Sequence, residues 1–155
     1  MNQQNIKLVL SLRHIGMLIE ASPWGRCLIQ RATYLMQATG VNMGWFFYWR
    51  NGAPFCDDLS SAIFSIASEM ALEDPTKGWK LDESTIQSLN KVAPLVVGRR
   101  VHWVDLLACI HFFVARSGVP SDPKKIQSLL KEYEKPVSIW EVQAALCGLS
   151  DQGLI

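Results

Sequence analysis

The residues able to do chemistry fall into a few small groups. Cys56 stands beside Asp57 and Asp58 where a helix should begin, and a thiol at a helix N-terminus loses its proton more easily. His14, His102 or His111 would then have to act as the base. The two carboxylates oppose thiolate formation, and nothing in the sequence brings a histidine to Cys56. His102 and His111 are nine residues apart on one apolar helix, on opposite faces of it. They cannot share a metal there, and a hydrogen-bonded place in or beside the core suits each better. Asp57, Asp58, Glu69, Glu73 and Asp74 have the chemistry of a divalent-ion site, but a capped helix with an acidic outer face accounts for them more simply. Arg26, Arg31, Arg50, Arg99 and Arg100 have the fork geometry that suits phosphate. They are scattered along the chain, and solvated charge or stacking on aromatic rings is the plainer account. Cys27, Cys56, Cys109 and Cys147 contain no close pair of the kind zinc sites use. No catalytic residue, metal ligand or cofactor site is assigned.

The densest feature is Trp45, Phe46, Phe47, Tyr48 and Trp49, followed by Arg50 and the turn residues Asn51, Gly52 and Pro54. In an extended segment alternate rings enter the core and the others face outward. The outward set is a stacking platform for a partner. An aromatic–arginine cluster is the usual make-up of a binding hot spot, so the partner-binding residues expected are Trp45, Tyr48, Trp49, Arg50 and Phe55.

The elements that must position these residues are mostly helical. Leu8, Leu12, Ile15 and Ile19 predict a helix over residues 6–20. Ser22 and Pro23 start a second, which Gly40 stops. Residues 43–49 read as a strand, with residues 79–81 as a candidate partner. Asp57 or Asp58 caps a third helix whose face is Leu59, Ile63, Ile66, Ala67 and Met70. A fourth runs from Glu83 to about Val92 and is ended by Pro94. Residues 101–116 are apolar on nearly every side and should form the central helix. Asp122 and Pro123 open a sixth helix, with Ile126, Leu129, Leu130 and Tyr133 inward and Lys124, Lys125 and Lys131 outward. Ser138 and Glu141 have capping-box spacing and open a seventh. The expectation is a mainly α, compact domain of about seven helices with one or two short strands.

The 155 residues suit one globular domain spanning 1–155. With 49% hydrophobic and 19% charged residues the chain is not disordered. A net charge of +1 gives no general basic balance for nucleic acid. The longest apolar run is too short and too polar for a membrane span, and no signal peptide is evident. A cytoplasmic protein with reduced thiols is expected.

Pro54, Phe55, Cys56, Asp57, Asp58 and Leu59 resemble the Gly-Pro-Tyr-Ser-x-x-Leu signature of the YwgA-like family, which is similar to the SocA-like or Panacea antitoxin-like domains. Phe46, Phe47 and Tyr48 match the aromatic strand leading into that signature. Leu28 to Leu35 is similar to the family's Leu-Gln-Lys-x-x-Tyr-Leu helix, and Val137 to Ile155 to its closing helix. The resemblance covers about two thirds of the chain. It departs at Ala53, which separates Gly from Pro, at Cys56 in place of Ser, and at Arg31 in place of Lys. It implies winged-helix character and a non-enzymatic, defence-associated module that binds a protein such as a toxin or nuclease. The alternative is a winged-helix-type DNA-binding regulator, for which the only lysine-bearing helix is residues 122–133, diluted by Glu132 and Glu134. Nucleic acid is therefore the less favoured partner, no membrane is expected, and a homo-oligomer is compatible with the sequence.

Overall fold

The computed structural model describes residues Met1–Ile155. The chain is mainly helical, with seven helices and a two-stranded antiparallel sheet. In order these are α1 (Gln3–His14), α2 (Pro23–Ala38), β1 (Tyr48–Arg50), β2 (Ala53–Phe55), α3 (Asp57–Met70), α4 (Glu83–Val96), α5 (Val101–His111), α6 (Pro123–Glu132) and α7 (Ile139–Asp151). A π-helical turn, Phe112–Arg116, continues α5. No helix is long and apolar enough to cross a membrane.

The helix starts follow local chemistry. Asn2, Ser22, Asp82 and Asp122 each accept a hydrogen bond from a first-turn N–H of the helix they precede. Ser138 and Glu141 form a complete capping box at α7. α5 takes the centre its composition demands, touching α2, α4, α7 and β2. A single cluster of 36 buried residues runs through the fold, with Leu35, Leu89, Leu107 and Ile110 fully enclosed. Burying each such side chain contributes about 1.5–3 kcal/mol.

Four boundaries differ from the sequence expectation. α1 stops at His14, not near residue 20, because Gly16 adopts a left-handed conformation (φ 76°) and Met17 N–H closes onto the Leu12 carbonyl at 2.8 Å. Ile15 remains fully buried beyond the helix end. α4 continues through Pro94 to Val96. Pro94 and Asn90 both face water, so the carbonyl that loses its main-chain donor can be hydrated. Continuing the helix also buries Leu95 and Val96.

The third difference is the sheet. Residues 43–47 carry no regular secondary structure, with Gly44 left-handed (φ 75°), and pair with no strand; residues 79–81 are not their partner. Tyr48–Arg50 pairs instead with Ala53–Phe55, in the register Tyr48 to Phe55, Trp49 to Pro54 and Arg50 to Ala53. Asn51 (φ 52°) and Gly52 (φ 78°) make the two-residue turn that a tight hairpin needs. Pro54 lies opposite Trp49, at the pair that exchanges no ladder bonds, so its missing N–H costs the hairpin nothing.

The fourth is the cap of α3. Neither Asp57 nor Asp58 caps it. Cys56 is the N-cap and makes no side-chain capping bond. Asp57 instead lies in the first turn, where its charge still suits the helix dipole.

Candidate functional site

The aromatic stretch is held in place by polar side chains of α2. Gln30, Tyr34 and Gln37 share one face at helical spacing, with Arg31 beside them. The Gln37 amide donates to the Trp45 carbonyl (2.7 Å) and accepts from the Trp45 N–H (2.9 Å). The Gln30 amide does the same at Cys56, donating to its carbonyl (2.8 Å) and accepting from its N–H (3.0 Å). Gln4 donates to the Met43 carbonyl (2.8 Å), and Arg116 to the Phe47 carbonyl (2.9 Å). Residues 43–47 are thus an irregular segment in which the Met43, Trp45 and Phe47 carbonyls and the Trp45 N–H are satisfied by side chains instead of a neighbouring strand.

With the backbone held, the rings alternate. Met43, Trp45 and Phe47 are buried, whereas Phe46 is 75% exposed. Trp45, expected at the partner surface, is therefore core: Gln37 holds its backbone so that the indole points inward. Trp49 is half-buried, its ring against Phe113 (4.8 Å), Tyr133 (5.1 Å) and Phe112 (5.2 Å).

Tyr48, Arg50 and Phe55 come together on the outer face of the hairpin. Tyr48 and Arg50 are two apart on one strand, and Phe55 is opposite Tyr48. The Tyr48 hydroxyl donates to Asp57 Oδ2 at 2.5 Å, and Arg50 Nη1 to Asp57 Oδ1 at 2.6 Å. The guanidinium carbon lies 5.1 Å from the centre of the Phe55 ring, which meets Tyr48 edge-on at 6.4 Å. The Arg50 pKa rises still further, first through Tyr48 and then Asp57, so its charge is permanent.

Beneath the hairpin is an ion network that the sequence did not disclose. Asp105 of α5 accepts from Arg31 Nε (2.8 Å) and Lys135 Nζ (2.7 Å). Arg31 Nη1 also donates to the Pro54 carbonyl (2.8 Å), tying β2 to α2 and α5. Its one legible signal was the polar stripe of Gln30, Arg31, Tyr34 and Gln37 on an otherwise apolar helix.

A cavity of about 260 Å3 lies behind Phe46. Tyr34 Oη and His111 Nδ1 are hydrogen-bonded there at 2.7 Å. Burial pushes the Tyr34 hydroxyl well above the usual tyrosine range, while Arg116 pulls it back. The guanidinium acts on that hydroxyl both through its charge and as a hydrogen-bond donor. Burial holds His111 below the usual imidazole value; contact with the Leu154 main chain opposes that shift and Arg116 adds to it.

The remaining chemical candidates are dispersed. Cys56 is buried and carries no cap bond. Each histidine has another neighbour: Asn90 for His14, Glu141 for His102, Tyr34 for His111. The arginines do not converge. Arg26 lies over Phe64 and Arg99 over Trp103, while Arg31 pairs with Asp105 and Arg50 with Asp57. Among the acidic residues, Glu69 meets the Met1 amino group and Asp74 meets Arg13. No three His, Cys, Asp or Glu side chains form a group that could hold a metal ion. No protein-family model matches the chain, and no curated protein is significantly similar to it.

Proposed function

We propose that the chain is a non-enzymatic protein-interaction module of the antitoxin-like, defence-associated type. It acts in the cytoplasm on a protein partner such as a toxin or nuclease. The observation that carries this reading is the Tyr48–Arg50–Phe55 cluster, a pre-ordered aromatic–arginine patch on a hairpin anchored from below. A rigid patch loses little side-chain freedom when a partner covers it, which favours tight association. Phe46 extends the apolar area beside it, and Trp49 supports it from the inner side. Trp45 supports the segment from the core.

The test uses the tagged full chain expressed in its native host. A partner retained by the wild type should be lost from the double variant Arg50→Ala/Phe55→Ala, whose melting temperature should stay close to wild type. Co-expression with the wild type, and not with the double variant, should relieve the partner's toxicity. A partner held equally by both proteins would remove the patch from the interaction. Gel retardation that weakens steeply with salt would instead favour the DNA-binding alternative.

A further inference from the structure

We propose that the cavity between α2, residues 45–47 and the end of α5 binds a small planar ring bearing a carboxylate. Its volume of about 260 Å3 accommodates one ring and its substituent. Tyr34, Trp45, Phe46 and Phe47 supply aromatic wall, and His111 and Arg116 the polar remainder. Gln37 also lines it, but both ends of its amide are engaged by the Trp45 backbone.

Arg116 decides the charge. It takes part in none of the ion pairs of the structure. Its Nη1 donates to the Phe47 carbonyl and the guanidinium also meets the Tyr34 hydroxyl, which leaves most of the fork's five N–H donors without a protein acceptor. Its guanidinium carbon is 4.6 Å from the centre of the Phe112 ring, which orients the fork without neutralising it. The π-helical turn carries Arg116 to this position. Tyr34 and His111 are neutral by burial, so a single positive charge faces the cavity. One planar guanidinium presents a fork that matches the two oxygens and single charge of a carboxylate. Trp45 carries a buried indole N–H without a protein acceptor, a further polar atom in the wall residues.

This proposal uses neither Arg50 nor Phe55, although Phe46 borders both the cavity and the interaction patch. Two sources share the chemistry: a free aromatic acid, and the C-terminal carboxylate of a peptide ending in an aromatic residue. The experiment titrates the isotope-labelled full chain with indole-3-carboxylate, with an acetylated tripeptide ending in phenylalanine, and with the neutral amide of each. At least one acid should bind saturably and move the Trp45 indole N–H and His111 ring resonances. Its amide should bind about tenfold or more weakly, the loss expected for one charge-assisted contact. The tighter of the two acids identifies the source. Arg116→Gln should erase the acid–amide difference; should that variant not fold, the comparison on the wild type decides alone. Equal binding of acid and amide, shifts confined to resonances elsewhere, or no binding of either acid would overturn the proposal.

Discussion

Burial raises the Cys109 thiol to about 12, with Asp105 adding to the shift and Lys135 and Arg31 opposing it. Cys56 is equally enclosed, Cys27 is half-buried and Cys147 is exposed. Native-state alkylation followed by mass spectrometry should therefore modify Cys147 first. Cys56 and Cys109 should react at least roughly a thousandfold more slowly, because they wait for unfolding. His111 gives the pH dependence. Its folded pKa lies below the unfolded value of about 6.5. The unfolded chain then binds more protons between those two values, so stability is complete above pH about 6.5 and falls as pH drops towards the folded pKa. Denaturant midpoints measured from pH 7.5 to 5 should decline in the wild type and decline less in His111→Gln.

At the scale of elements, the two glutamines of α2 matter more than their polarity suggests. Each amide substitutes for a strand partner, Gln37 at Trp45 and Gln30 at Cys56, on either side of the hairpin. Gln30 is 2% exposed, so water cannot replace it. Gln30→Met preserves the volume but leaves the Cys56 N–H without a partner, while the Cys56 carbonyl keeps the Ser60 N–H at 3.1 Å. It should cost about 1–3 kcal/mol in urea unfolding, the desolvation penalty of one buried N–H. Hydrogen exchange at Cys56 should quicken in the same variant. Gln37 is half-exposed, so Gln37→Met should cost less, since water can reach the vacated groups.

Across the molecule, Asp105 links three distant parts of the chain: α2 through Arg31, its own helix α5, and the segment after α6 through Lys135. Glu134 enters the left-handed region (φ 58°) at the end of α6, immediately before Lys135. The three charged side chains are 12–24% exposed, so the network is largely shielded. Asp105→Asn removes the anion and leaves two cations facing a neutral amide. The expected loss is about 3 kcal/mol, at the lower end for a broken buried pair, measured by thermal and urea unfolding. The β1–β2 amides should also exchange faster, since Arg31 also holds the Pro54 carbonyl.

Helix content and most of the core were legible in the sequence because they rest on short-range rules. Periodicity placed Leu59, Ile63 and Ile66 inward, and Ser138 with Glu141 marked the start of α7; both stand in the structure. The greasy run from Val101 became the central helix for the same reason. What lay beyond the sequence was the choice of hydrogen-bonding partner. An aromatic segment looks the same whether a strand or a row of amides satisfies its backbone, and only the approach of α2 made it the latter. That approach turned Trp45 inward, left Phe46 in solvent, and assembled Tyr48, Arg50 and Phe55 across a two-residue turn. It also brought Arg31 to Asp105, 74 positions away in the chain. Local patterns report which face of an element is apolar, whereas charge pairs and cavities arise where elements meet.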